Sequence, residues 1–278
     1  MVSTPIGNLE DITLRALRIL RECDLIACED TRQTQKLLNH YEIRKRLVSY
    51  HEHNEITRAS ELVIELEQGA QVALVSDAGT PLVSDPGYRL VTLALRHHIP
   101  VVPIPGASAL IAALVGSGMP SEEFLFAGFL PSRGGERRAA LEKYSGDHRT
   151  LVFYEAPHRL GDTLKDAWEI LGDRPACVAR EVSKIHEEFL RGRLSELQEH
   201  IRQKPARGEL TLLIGPANEE SRHAETAVPK PLVSRVEELM QEQQIDRKAA
   251  LKQAARERGL TKREAYKQLL VYRSRSIH

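Results

Sequence analysis

Residues 72–87 read Val72-Ala73-Leu74-Val75-Ser76-Asp77-Ala78-Gly79-Thr80-Pro81-Leu82-Val83-Ser84-Asp85-Pro86-Gly87. The apolar run Val72–Val75 has the character of a buried strand. Asp85-Pro86-Gly87 has that of a helix start, with Asp85 as N-cap and Pro86 in the first helical position. An ordinary strand-to-helix loop runs about two to six residues; this one is about twice as long. Its glycines, prolines and hydroxyl residues bare backbone N–H and C=O groups at the carboxyl end of a strand. Open α/β sheets bind small molecules there.

The same strand-then-helix pattern continues on both sides. Toward the amino end, Leu25–Cys28 and Leu47–Tyr50 are short apolar strands, and Val2-Ser3-Thr4 leads into the turn Pro5-Ile6-Gly7-Asn8. Helices follow each of them. Asp11 is placed to cap the first, whose Leu14, Leu17 and Leu20 recur at helical spacing. Toward the carboxyl end, Val101–Ile104 reads as a strand, and Pro105-Gly106-Ala107-Ser108 opens an apolar helix ending near Gly116-Ser117-Gly118. This alternation predicts a mostly parallel sheet covered on both faces, over residues 1–118.

Residues 119–218 change character. Strands at Phe124–Phe129, Leu151–Glu155, Cys177–Glu181, around Glu188–Leu190 and at Leu210–Ile214 are separated by fewer helices. Some antiparallel pairing is expected in this second α/β domain. A basic helix carries Arg133, Arg137, Arg138 and Lys143. Residues 218–231 are polar and proline-containing, as in a linker. Residues 230–278 form a helical tail with a turn at 259–264, where Thr261 and Glu264 have capping-box spacing. The tail holds 12 Lys and Arg against 6 Asp and Glu, although the whole chain is balanced at 39 of each sign. A basic helix-turn-helix pattern suggests nucleic acid, and a solvated packing appendage would look the same.

With 278 residues and 41% apolar content, the chain has room for two domains and a substantial core. Cys23, Cys28 and Cys177 form no metal or disulfide framework, which points to a reducing, cytoplasmic setting. No apolar run is long enough to cross a bilayer.

Polar residues cluster where predicted strands end: Thr4–Gly7, Glu29–Arg32, His51-Glu52-His53, Asp77–Gly87, Ala107-Ser108, Tyr154-Glu155 and Arg180-Glu181. In a parallel sheet those ends share one edge. His51 and His53 have no third ligand at a zinc-like spacing. There is no Gly-x-Ser-x-Gly elbow, no GxxxxGK[ST] loop and no GxGxxG. A ligand held by main-chain groups without a phosphate loop suits a non-phosphorylated nucleoside. S-adenosylmethionine is one such ligand, and composition alone does not single it out.

Six motifs occur in order: Ser3–Leu9, Cys28–Arg32, Ser76–Gly87, Pro105–Ala109, Phe153–Arg159 and Gly208–Thr211. Together they resemble the ribosomal RNA branch of the tetrapyrrole methylase superfamily, over essentially the whole chain. The resemblance implies two α/β domains with S-adenosylmethionine in the cleft between them. It also implies a homodimer that methylates the ribose 2'-oxygen of cytidine 1402 in 16S rRNA of the small ribosomal subunit. On that basis the cofactor residues are Pro5, Gly7, Asp77, Ala78, Gly79, Thr80, Pro81, Val83, Ser84, Ala107, Ser108, Tyr154, Glu155 and Leu210. Thr80 stands where tetrapyrrole-acting relatives carry an acid, so contacts there should be mainly to backbone.

A ribose 2'-hydroxyl needs its proton removed as it attacks. Candidates for that work, or for positioning the RNA, are Glu29, Asp30, Arg32, Glu155, Glu181 and Lys184. A lysine base would need its pKa lowered by burial or a neighbouring cation such as Arg180. Two other readings compete: a small-molecule or tetrapyrrole methyltransferase, and a non-catalytic RNA-binding protein on a cofactor fold.

Overall fold

A computed structural model describes residues 1–217, residues 236, 239 and 240, and residues 246–257. The chain divides into two compact units, Met1–Ala217 and Asn218–His278. The first holds two sheets.

In the first sheet, β1 (Leu25–Cys28) lies between β2 (Arg46–Ser49) and β3 (Val72–Val75), all parallel. Beyond β3 the amino-terminal residues slot in as a further rung. Val2 N–H donates to Leu74 C=O at 2.9 Å, and Val2 bridges to Ile104 in parallel. The predicted strands at 2–4 and 101–104 are therefore reduced to single bridges. β1 is buried along its whole length because helices cover both faces. Ile26, Cys28, Ala73 and Val75 face α1 (Leu14–Glu22) and α2 (Thr31–His40). Leu25, Ala27, Val48 and Leu74 face α3 (Glu55–Glu67) and α4 (Tyr88–Arg96).

Two predicted helix starts are corrected. Thr13, not Asp11, caps α1, accepting from Ala16 N–H; Asp11 closes a short 3-10 turn, Leu9–Asp11. α4 begins at Tyr88 with Gly87 before it at φ 139°, so Asp85 and Pro86 remain in the loop. A side chain at Gly87 would strike Leu82 and Leu74.

The second sheet has the order β4 (Phe124–Phe129), β5 (Thr150–Glu155), β8 (Leu210–Ile214), β6 (Pro175–Arg180), β7 (Glu188–Arg193). Only β4 and β5 run parallel; the other pairs are antiparallel. Side chains alternate between faces. Leu151, Phe153, Val178 and Leu212 pack beneath α6 (Gly134–Glu142), α7 (Leu160–Leu171) and α8 (Leu194–Gln203). Val152, Cys177, Ala179 and Leu213 face Leu110, Ala113 and Leu114 of α5 (Ala109–Ser117). By packing, then, α5 lies against the second sheet.

Two of the four basic residues of the predicted basic helix α6 are engaged within the fold, while Arg133 and Lys143 are exposed. Arg137 is buried, and its Nε donates to Asp166 at 2.7 Å; Arg138 reaches both Asp166 and Glu169. Removing one partner of a buried ion pair leaves an uncompensated charge. Arg138 still contacts Asp166, so Arg137→Ala is expected to destabilise the fold by about 2 kcal/mol, below the value of about 3–5 kcal/mol for a buried charge stripped of every partner. A denaturant titration measures this; an unchanged midpoint overturns it.

In the second unit, Asp246 caps α9 (Arg247–Glu257) by accepting from Ala249 N–H at 2.7 Å. Val236, Leu239, Ala250, Leu251, Ala254 and Ala255 are buried together, with Met240 against them. The predicted linker at 218–231 and the turn at 259–264 lie outside the described residues.

Candidate active site

Sheet register brings the functional loops together. Cys28 pairs with both Ser49 and Val75, so three parallel strands end level. Glu29, His51 and Asp77 follow those ends on one edge. In the second sheet Leu210 pairs with Glu155 on one side and Arg180 on the other. The tips of β5 and β6 therefore meet the start of β8.

The loop after β3 is sewn to its neighbours mainly through backbone. Gly79 exchanges two hydrogen bonds with Thr4, at 2.8 and 3.1 Å. Thr4 Oγ1 donates to Ser76 C=O, and Thr80 Oγ1 donates to Ala107 C=O at 3.1 Å. Gly79 sits at φ 82°, and Leu82 and Ser84 also take positive φ. Such backbone is retained where surrounding contacts over-determine it.

Between the two strand-end edges lies a cavity of about 340 Å³. Of the predicted cofactor residues, Ala78, Gly79, Thr80, Val83, Ser84, Ser108, Tyr154, Glu155 and Leu210 line it. Pro5, Gly7, Asp77, Pro81 and Ala107 are outside the lining. Asp77 instead accepts from Asp30 N–H at 3.0 Å, tying the ends of β3 and β1 together. Gly7 leaves room for the Lys184 stem, whose Cγ a side chain there would strike. Sequence reasoning missed Phe129, whose ring lies 5.6 Å from that of Tyr154, and Asp85. For Asp85 the available signal was the length of the loop that carries it.

The candidate catalytic groups separate by environment. Glu155 is fully buried: Oε1 accepts from Ala156 N–H, Oε2 from Thr163 Oγ1 at 2.6 Å, and Arg159 is beside it. This carboxylate holds the turn into α7. Asp30 is bonded to Arg32 through side chain and backbone, which holds it down at about 2. So low a pKa suits a permanent anion rather than a proton acceptor, and Arg32 is occupied by it. Burial works to lower the Lys184 ammonium, but its hydrogen bonds to Glu209 and Glu181, both 3.0 Å, outweigh that and the net shift is upward. A lysine base needs the opposite. Glu181 is lowered, first by the backbone N–H of Glu209. Glu29 is raised, by burial first and then by Asp77 and Glu52. Asp85 is pushed up to about 6, by burial first and then by Glu29, with Ser76 opposing and Asp77 adding.

The cavity wall carries Asp85, Glu155 and Glu209 and, among the described residues, no Lys, Arg or His. Arg159 backs Glu155 and Lys184 pairs with Glu209, so among the described residues Asp85 is the carboxylate of the wall without a cationic partner. Tyr154, Phe129, Val83 and Leu210 supply apolar surface of the kind a flat heteroaromatic ring covers.

Residues 1–198 match the family described as Tetrapyrrole (Corrin/Porphyrin) Methylases. The chain belongs to the tetrapyrrole methylase family. A ribosomal RNA small subunit methyltransferase I from Halalkalibacterium halodurans is 49% identical over 268 residues, 96% of this chain and 92% of that one. One from Mesorhizobium japonicum is 46% identical, covering 97% and 90%. This tetrapyrrole methylase also shares its fold with a uroporphyrin-III C-methyl transferase from Thermus thermophilus, whose structure is a complex with S-adenyl homocysteine. There the TM-score is 0.54 at 22% identity, over 77% of this chain and 95% of that one.

Proposed function

We propose that this tetrapyrrole methylase transfers the methyl group of S-adenosylmethionine to the ribose 2'-oxygen of a cytidine in the small ribosomal subunit, cytidine 1402 of 16S rRNA. The observation that carries the reading is the likeness, over nine-tenths of both chains, to a protein named for small-subunit rRNA methylation. The site is compatible with it: a partly aromatic cavity with one carboxylate, Asp85, unpaired among the described residues, and no phosphate loop fits a sulfonium nucleoside. When bound, that group supplies an activated methyl. The protein holds the ligand between Gly79–Ser84 and Tyr154–Leu210, and must keep the attacking oxygen in line while excluding water.

The reading includes action in the cytoplasm as a homodimer, for which the exposed Ile111 and Val115 of α5 offer an apolar surface. No described helix is long and apolar enough to cross a membrane. Binding of the RNA falls mainly to the basic 230–278 tail, since Arg137 and Arg138 of α6 are paired within the fold and leave only Arg133 and Lys143 exposed there.

The test is incubation with methyl-labelled S-adenosylmethionine and either small subunits or a porphyrin precursor. Label on cytidine ribose is the expected result. Label on the macrocycle favours the small-molecule reading, and label on neither favours the non-catalytic one. Removing residues 230–278 is expected to weaken subunit binding at least about tenfold and flatten its salt dependence. Intact affinity and slope would make the tail a packing appendage.

A further inference from the structure

Methyl transfer to a ribose hydroxyl leaves a proton to be taken up, and the groups first suited to that task by position are unsuited by environment. Three carboxylates line the cavity. Glu155 is enclosed and fully hydrogen-bonded, and Glu209 is paired with Lys184. Asp85 remains. It forms no ion pair among the described residues. The charged and titratable groups around it are Glu29 from the end of β1, Asp77 from the end of β3 and the Tyr154 phenol of β5. It thus stands where the polar edge of the first sheet meets the cofactor cavity, on the backbone-strained segment Leu82–Gly87.

We propose that the Asp85 carboxylate accepts the proton of the attacking 2'-hydroxyl, an assignment that rests on the function proposed above. As the ribose oxygen forms its bond to the methyl carbon, the carbon–sulfur bond breaks. Its electron pair stays on sulfur, leaving a neutral thioether. The hydroxyl proton passes to an Asp85 oxygen, and the protonated acid then releases it to solvent. Two neighbouring carboxylates make that uptake more favourable than for an isolated aspartate. The same two groups give Glu29 and Asp77 a positioning role through charge.

Single-turnover methylation of small subunits, at saturating S-adenosylmethionine and across pH 5 to 8, tests the assignment. The native chain is expected to lose rate as pH falls through about 6, where Asp85 becomes protonated. Asp85→Asn should slow the step by about 100- to 10,000-fold and abolish that acidic limb. Asp85 is also, among the described residues, the carboxylate of the wall without a cationic partner, so the variant's cofactor affinity, measured by calorimetry, is expected to fall. Its rate is therefore read at cofactor concentrations raised to saturation, with an unchanged thermal midpoint reporting an intact fold. Glu29→Gln removes a neighbouring charge, so it should move the limb to lower pH without abolishing it. Two results would overturn the proposal. One is an Asp85→Asn protein that regains the native rate once cofactor is raised, which would make Asp85 a ligand for the cofactor's positive charge. The other is an acidic limb unchanged in both variants. A native chain that puts no label on the subunit instead sinks the function proposed above.

Discussion

Glu155→Ala is expected to destabilise the protein by about 3–5 kcal/mol, the range for stripping a buried charged group from its partners. Two donors lose their acceptor together, Ala156 N–H and the buried Thr163 hydroxyl, and the Arg159 guanidinium loses the carboxylate 3.3 Å away that offsets its charge. Each buried polar group left unsatisfied costs about 1–3 kcal/mol. Glu155→Gln keeps one acceptor oxygen, and the Thr163 hydroxyl can rotate to accept from the new amide. It should therefore cost less than half as much. Chemical denaturation of both variants checks this, and equal midpoints for native and alanine proteins would refute it. Ala156 and Pro157 line the cavity immediately after Glu155, so surviving Glu155→Ala protein should also bind cofactor more weakly.

Gly79→Val should cost the site more than it costs the fold. At φ 82° a β-branched residue is strained, and the new Cβ would stand 3.3 Å from Ile6 Cγ2. Left-handed backbone alone costs about 1–2 kcal/mol for an L-residue. Relief is available only by giving up the paired hydrogen bonds to Thr4, which set the shape of the cavity wall. Cofactor affinity should fall about 30-fold or more, corresponding to about 2 kcal/mol. Gly118→Ala is the control. It has a similar φ of 77° but open space around it and no place in the cavity lining. It should lower thermal stability and leave calorimetric affinity unchanged. A matching loss of affinity in both variants would show that Gly79 acts through global stability only.

Short apolar runs bounded by turn residues made the strands legible. Leu25–Cys28 and Val72–Val75 appear at the residues their sequence marks, because a strand buried on both faces must be apolar throughout. Boundaries that depend on tertiary contacts were less legible. Asp11 and Thr13 are both competent caps, and only the 3-10 turn at Leu9–Asp11 decides between them. Asp85-Pro86-Gly87 has every local mark of a helix start, yet Gly87 must pass close to Leu82 and Leu74, and that holds the chain out of helix until Tyr88. In the site, clustering at strand ends followed from topology. The commitments of individual side chains did not. Nothing local marks Glu155 as the acceptor for Thr163, or Arg137 as buried against Asp166 twenty-nine residues away.

The amino-terminal rung has a consequence for how the chain assembles. Val2 completes its pairing only with Leu74 and Ile104, and Thr4 fixes the loop after β3 through Gly79. During synthesis the first residues emerge long before these partners. They must wait unpaired until more than a hundred residues are outside the ribosome, so the closure entropy of that long loop is met late. The first half of the enzyme cannot acquire its binding loop piecemeal. That loop takes shape in the same event that closes the sheet, which makes cofactor binding a direct reporter of completed folding.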